Sequence, residues 1–440
     1  MIELLAGKLW FPWLLGLSVL TGAVYSLGSG FFPIFECRLW IKTTLASLFQ
    51  REHTQKGLSS FQALSTALAS TIGTGSIAGV ASALTLGGPG SIFWMWVTAL
   101  LGMMTSCAEK ILAVRWQRAA SDGTLQGGPM YYLRDGAGSP LLAAWFCVCC
   151  IPAAFVGGNL IQSSSIADTM QSVFGSERLM TGLIFALLSA AVLLGGLKRI
   201  AGFSTILVPV MALLYLGGGA TVLIIHRAAL PGAIRAIFTC ALCPGAAFGG
   251  AAGWSVAAAV RHGVARGVFT SEAGLGTSAM AHGAAQVSHP ARQGMWGILE
   301  VFCSTLLICT VTGLAILVSS PDLTRPGGAH TTAAAFGSAL GRPGELIVAL
   351  SLLLFAFSSI LGWSYYGQQA LSFLAGNDRF LSLYRALFLL CIPLGSVMDS
   401  QELWALVDLW DGLMALPNLI GLLLLAPGTL KLLHQWKQLQ

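Results

Sequence analysis

Few side chains in this sequence could do chemistry, and those that could lie in apolar surroundings. Thr71-Ile72-Gly73-Thr74-Gly75-Ser76 falls in the middle of the apolar stretch 67–83. A glycine costs about 1 kcal/mol against alanine inside a helix. Two of them two apart, flanked by hydroxyls able to bond freed backbone, favour a local break. At membrane depth such a break survives only inside protein or beside a water-filled cavity. There it exposes carbonyls suited to a cation and amides suited to a carboxylate. About two hundred residues later, Thr270-Ser271-Glu272-Ala273-Gly274-Leu275-Gly276-Thr277-Ser278 has the same character. Glu272 is the acid inside this second break. An intramembrane acid points to function: it could coordinate a cation, carry a proton or accept bonds from unwound backbone. The competing role is to cap the half-helix that follows.

Three further groups belong to the same chemistry. Gln162, in Gly157-Gly158-Asn159-Leu160-Ile161-Gln162, is an uncharged donor and acceptor whose burial demands a partner, either a neighbouring helix or a ligand. Ser358 and Ser359 precede Trp363 by five and four residues, so Ser359 and Trp363 share a helix face. A hydroxyl there could complete an oxygen shell for Na⁺, with the tryptophan closing the cavity. The alternative is a serine bonding its own helix and an interfacial tryptophan. Glu109, beside Lys110 and Arg115, reads as half of an interfacial ion pair. His282 and His289 read as helix-end or loop histidines. No HExxH, GxSxG or Walker-type motif occurs, so catalysis is disfavoured. Ten cysteines lie mostly in apolar runs as small hydrophobes, and Cys240 and Cys243 form a lone CxxC with no second pair.

These residues sit on a chain that is 55% hydrophobic and only 9% charged, which predicts an all-α polytopic membrane protein. The first apolar run, 10–32, is too long for a signal-peptide core and reads as a retained span. Eleven spans are expected, near 9–35, 60–86, 90–114, 139–171, 179–197, 200–225, 246–283, 294–319, 345–374, 381–398 and 403–427. The stretch 321–344 between them reads as loop and re-entrant turn. With the N-terminus outside, seventeen of twenty-three basic residues fall on the inner side, among them Lys110, Lys198, Arg261, Arg266 and Arg385. The net charge of +6 follows this topology and implies no nucleic acid. If the first span is set aside, the broken segments are the first and sixth of ten. The two halves then have opposite topology, the arrangement that marks a transporter's binding site. The competing reading is a pair of glycine-rich packing surfaces.

The chain resembles the alanine or glycine:cation symporter family. The resemblance rests on Gly73-Thr74-Gly75-Ser76-Ile77-Ala78-Gly79-Val80-Ala81, Gly87-Gly88-Pro89-Gly90 with Phe93-Trp94-Met95-Trp96, and Gly127-Gly128-Pro129-Met130-Tyr131-Tyr132. It also rests on Arg266-Gly267-Val268-Phe269-Thr270-Ser271-Glu272-Ala273-Gly274-Leu275-Gly276 and Leu361-Gly362-Trp363-Ser364-Tyr365-Tyr366-Gly367. It departs from the family at Ser76 and Ser271, where asparagine is usual. The resemblance implies a leucine-transporter-like fold, with ten core helices in two inverted five-helix repeats and one extra N-terminal helix. Residues 1–57 would hold the extra helix and a basic loop, 58–230 the first repeat and 231–440 the second. It implies uptake of a small neutral amino acid of the alanine or glycine type, coupled to Na⁺ or H⁺, by a multi-pass protein of the cytoplasmic (inner) membrane, while the placement of basic residues puts the C-terminus inside. The rivals are a non-transporting receptor or sensor and a channel. No cofactor is implied beyond Na⁺ as coupling ion. The substrate would contact Thr71, Gly73, Thr74, Gly75, Ser76, Gln162, Phe269, Thr270, Gly274 and Trp363. Amides around Thr74, Gly75 and Ser76 would receive its carboxylate, and Gln162 and the carbonyl region of Phe269 and Thr270 would meet its amino group. Na⁺ would sit among the carbonyls of Ala69 and Ile72 and the hydroxyls of Ser358 and Ser359. Glu272 remains a possible proton carrier or structural acid.

Overall fold

The computed structural model describes residues 7, 9–49, 57–120, 123–242, 256–319 and 328–440. Lys8, Arg51, Lys56, Cys243, Arg325 and the start of the span expected from 246 lie outside these residues. Helices dominate throughout. A π turn, Trp10–Leu14, leads into α1 (Leu15–Gly28), and α2 (Cys37–Thr44) follows. The first broken segment is α3 (Ser60–Thr71) and α4 (Ala78–Gly87), with a 3-10 turn, Thr74–Ser76, between them. Then come α5 (Gly90–Arg115), α6 (Pro140–Phe174), α7 (Arg178–Leu193), α8 (Gly196–Ile225) and α9 (Leu230–Leu242). The second broken segment is α10 (Val256–Ser271) and α11 (Thr277–His282). It is followed by α12 (Pro290–Val318), α13 (Ala329–Leu340), α14 (Arg342–Ala375), α15 (Leu381–Val397) and α16 (Ser400–Gln438).

Six of the described helices are long and apolar enough to cross a membrane: α5, α6, α8, α12, α14 and α16. Leu183, Leu187, Ile206, Leu213, Leu390 and Leu394 are all at least half exposed, as residues facing lipid should be. Together with the apolar helices, this makes the chain a multi-pass membrane protein. Two helices were missed in the sequence. The stretch 321–344, read as loop, contains α13, whose Phe336 ring stacks on Tyr215 of α8 at 5.5 Å. Likewise α9 lies in a stretch assigned to no span, with Phe238 packed on Phe93 and Trp96 of α5. Both are only three turns long, too short to register as spans.

Local rules explain the breaks. Ser59 opens α3 with a capping box: its hydroxyl accepts from the Gln62 amide (3.2 Å), and Gln62 Oε1 accepts from the Ser59 amide (3.0 Å). The helix ends at Thr71, and Gly73 is fully extended. In the second break Gly274 and Gly276 take φ values of 95° and 81°, a region that favours glycine. Glu272 takes φ 51° without that excuse, one of two described non-glycine residues to do so. Such an outlier costs about 1–3 kcal/mol and clusters at functional sites.

Close helix packing rests on small residues, as in other membrane bundles. On α12, a Cβ at Gly294 would lie 2.8 Å from Ile111 Cγ1 and 2.9 Å from Cys107 Sγ of α5. A Cβ at Gly297 would meet the Ser106 carbonyl oxygen at 2.9 Å, and the Ser106 hydroxyl already donates to the Gly297 carbonyl at 3.0 Å. Gly297→Ala therefore forces α5 and α12 apart and should cost about 1–3 kcal/mol, read as a lower thermal midpoint of the detergent-solubilised protein. Gly217→Ala on α8, with open space around its Cβ, should be neutral or slightly stabilising. Equal effects of the two changes would refute the close approach of α5 and α12.

Candidate functional site

The two breaks face one another across a small cavity of about 20 Å³, above the minimum that holds a water. Thr71, Gly73, Gly75, Gln162, Phe269 and Trp363, all expected at the substrate, line it together with Glu272. Thr74 and Gly75 head the 3-10 turn, where N–H groups have no partner within their own helix. A Cβ at Gly75 would stand 2.6 Å from Phe269 Cε1, so glycine is what allows the second break to approach the first. Gln162 donates through Nε2 to the Gly157 carbonyl at 3.2 Å, leaving Oε1 without a partner. Trp363 is held against Tyr366, whose hydroxyl bonds Ser70 Oγ at 2.6 Å.

The remaining expected contacts lie behind the cavity wall. Thr74 and Ser76 are fully buried, with hydroxyls that have no hydrogen-bond partner. Thr270 Oγ1 is turned to the Gly267 carbonyl and Thr305 (both 3.3 Å). Gly274 donates its amide to Glu109 Oε1 at 3.0 Å. Four wall residues were not named as contacts: Ser70, Gly157, Leu275 and Asp411. Asp411 carried a usable signal, an acid inside an apolar helix.

Beside the cavity, oxygen atoms converge where a cation was expected. Ser358 Oγ donates to the Ala69 carbonyl at 2.7 Å, and Ser359 Oγ donates to the Ser70 and Ala69 carbonyls at 3.1 and 3.4 Å. A Cβ at Gly73 would lie 2.8 Å from Ser359 Oγ. Thus α14 abuts the end of α3, and the Ser70 carbonyl joins the expected set. Ile72 is buried at the kink itself.

Two wider cavities flank the centre. One, of about 410 Å³, opens between Lys198, Gln368 and Arg385. The other, of about 110 Å³, lies at the opposite end between Trp10, Arg261, Arg266 and Asp408, and Phe269 borders both it and the central cavity. Arg266 sits over the Trp404 ring at 5.0 Å and reaches Asp408 at 4.0 Å. This corrects the charge count: Arg261 and Arg266 lie at the Trp10 end, opposite Lys198 and Arg385. The basic bias is weaker than the sequence indicated and keeps its sign.

Glu109 and Lys110 are also corrected, for they are fully buried and not interfacial. Lys110 Nζ lies 3.1 Å from Glu300 Oε2 and 3.5 Å from Glu109 Oε2, and donates to Ser278 (2.6 Å) and Ser106 (2.8 Å). Glu300 Oε1 accepts from Thr71 of the first break at 3.1 Å. His282 Nε2 faces Glu300 at 3.2 Å, while Gln293 donates to His282 Nδ1 at 2.6 Å. Asn418 donates to Glu109 (2.8 Å) and to the Gly274 carbonyl (2.9 Å). Glu272 lines the cavity and accepts from the hydroxyl of Thr277, first residue of α11, at 2.6 Å, a contact with the side chain and not a cap of that helix.

Known proteins provide a context for this geometry. The model of the sodium:alanine symporter family matches residues 1–440. The sodium/alanine symporter AgcS of Methanococcus maripaludis is 42% identical over 425 residues, covering 95% of this chain and 92% of its own. A probable sodium/glutamine symporter, GlnT of Bacillus subtilis, is 36% identical over 374 residues, 84% of this chain and 77% of its own. Among solved structures, a manganese transporter of Eremococcus coleocola superposes with TM-score 0.54 at 12% identity, covering 85% of this chain and 81% of that one, a likeness of fold alone.

The buried charges predict a coupled response to mutation. Lys110→Met strands two carboxylates in the interior, and breaking a buried pair in this way costs about 3–5 kcal/mol. Glu300→Gln in the same chain should recover part of that loss, because the two changes remove both members of one pair. Thermal unfolding of the single and double variants checks this. A double variant no more stable than Lys110→Met would show that the two groups are not coupled.

Proposed function

The chain belongs to the sodium:alanine symporter family, whose members are transporters and not enzymes, and from that premise we propose that it takes up a small neutral amino acid with Na⁺ by alternating access. The observation that carries this reading is the cavity between the two breaks, where Gly73, Gly75, Gln162, Phe269 and Trp363 meet. The backbone amides after Gly73 receive the substrate carboxylate, and Phe269 and Trp363 wall in a short side chain. Thr71 and Gly274 hold the break ends in place, and Thr74, Ser76 and Thr270 complete the shell behind them. The coupling cation takes the oxygens gathered from Ala69, Ile72, Ser358 and Ser359. Relatives named for alanine and for glutamine favour a neutral amino acid.

The architecture that suits this work is leucine-transporter-like. Residues 58–230 and 231–440 form inverted repeats, each with a broken segment as its first span, the second preceded by the short helix α9, and the helix within 1–57 stands apart. The residual excess of basic residues around Lys198 and Arg385 favours a cytoplasmic inner side there, with the N-terminus outside. The location proposed is the cytoplasmic membrane. Because the cation site shares α3 with the substrate site, Na⁺ that orders the break improves amino-acid binding. By linkage the amino acid tightens Na⁺ by the same factor.

Uptake of labelled alanine into proteoliposomes tests this, with an inward Na⁺ gradient and with choline replacing Na⁺ at constant pH. Accumulation should collapse in choline. Accumulation that persists and follows a pH gradient would replace Na⁺ by H⁺ as the coupling ion and turn attention to Glu272. Ser359→Ala removes one oxygen of the cation shell and should raise the Na⁺ concentration for half-maximal uptake by about tenfold, the effect of one charge-assisted contact. An unchanged Na⁺ dependence would remove Ser359 from the shell.

A further inference from the structure

The central cavity carries more unpaired acceptors than the uptake reading uses. Asp411 of α16 is 1% exposed and lines the cavity, yet neither carboxylate oxygen has a hydrogen-bond partner. Among the described residues, no Lys, Arg or His lies within ion-pair distance of it. Gln162 Oε1 in the same wall is equally unpaired. The two side chains converge on Gly157, whose carbonyl accepts from Gln162 Nε2 and whose Cβ position lies 3.9 Å from Asp411 Oδ1. One side of the cavity thus offers three unpaired acceptor oxygens, two of Asp411 and one of Gln162. A buried carboxylate without a counter-charge carries a large penalty, which a cationic or donor group on a bound ligand would relieve.

An ammonium group fits that demand, with three N–H donors, no acceptor and one positive charge. The first break adjoins this wall, with the Cβ position of Gly73 3.6 Å from both polar atoms of the Gln162 amide. The cavity is therefore short, and it gathers the freed amides of the break and the bare acceptors into one small space, as an amino-acid zwitterion requires. We propose that Asp411 receives the substrate's ammonium group, beside Gln162, to which the family resemblance already gives that contact. Glu272 also lines the cavity, but one of its oxygens, Oε2, already accepts from Thr277, whereas both oxygens of Asp411 are unpaired. This role rests on the uptake reading and adds to it a residue that selects for the amino function. It explains how an amino acid is told from a hydroxy acid of the same size and shape.

The test is equilibrium binding to the purified full-length protein. Labelled alanine is measured at saturating Na⁺ with L-lactate as competitor, and radioactive Na⁺ is measured without amino acid. For the wild type, L-lactate, which replaces the ammonium by a hydroxyl, should compete at least about a hundredfold more weakly than alanine, as expected when a buried charge is left unpaired. D411N should lose at least about tenfold in alanine affinity and narrow the gap to lactate correspondingly. Its Na⁺ binding without amino acid should be unchanged, which also reports an intact fold.

Alanine affinity retained in D411N would overturn the proposal and leave the uptake reading standing. A monodisperse D411N with weakened Na⁺ binding would overturn it differently, by making Asp411 a ligand of the coupling cation. Should the variant not fold, the wild type alone decides: lactate competing as well as alanine refutes an ammonium site. A wild type that binds Na⁺ and no small neutral amino acid would sink the uptake reading itself.

Discussion

A helix that stops bonding to itself inside a membrane must hand its freed amides and carbonyls to other groups, and this constraint organises the structure. At the first break, Ser358 and Ser359 of α14 take up the carbonyls of Ala69 and Ser70. At the second, Glu109 of α5 accepts the Gly274 amide and Asn418 of α16 donates to its carbonyl. Every element that supplies such a group is thereby fixed against a break. The glycines allow the chain to turn, and the partners on α5, α14 and α16 make the turns affordable at membrane depth.

The partners are themselves connected. Lys110 stands between Glu109, bound to the second break, and Glu300, bound to Thr71 of the first. Its hydrogen bond to Ser278 adds the half-helix after the second break. Two segments about two hundred residues apart are thus held by one buried set of charges on α5 and α12. Those two helices approach closely because Gly294 and Gly297 leave room. Buried ion pairs are poor sources of net stability, since desolvation offsets most of their attraction. What they supply here is registration: each break has a fixed position relative to the other, and a displacement at one is felt at the other.

The breaks were legible in the sequence because they are dense in unusual residues. Gly73, Gly75, Gly274 and Gly276, with the hydroxyls around them, stand out from an apolar background. Gln162 and the serines at 358 and 359 were visible for the same reason, being polar where polarity is expensive. Convergence in space was not legible. Glu300 is one acid in a long apolar helix, and nothing local says that Lys110, Thr71 and His282 meet there. Glu109 and Lys110 looked interfacial because sequence alone fixes the depth of a helix end only to within a turn. Arg261 and Arg266 were assigned to the wrong end because they belong to the half-helix before the break. Sequence alone does not say on which side of a break a charge emerges. The helices α9 and α13 were invisible as spans since neither is long enough to be one.

The polar groups of the site divide according to what a ligand must displace. Ser358 and Ser359 already donate to the carbonyls expected to coordinate a cation, so cation binding there exchanges internal hydrogen bonds for coordination, and the net gain is modest. Such a site suits an ion that must be released on each cycle. Asp411 and Gln162 Oε1 have nothing to give up. A donor that reaches them is resisted only by the loss of its own hydration, and the cavity wall gains the whole interaction. Phe269 lies between that cavity and the one at the Trp10 end, while Arg266 and Trp404 pack behind it. Phe269 stands in the last turn of α10, which ends at Ser271, so the ring is carried by the half-helix that leads into the second break.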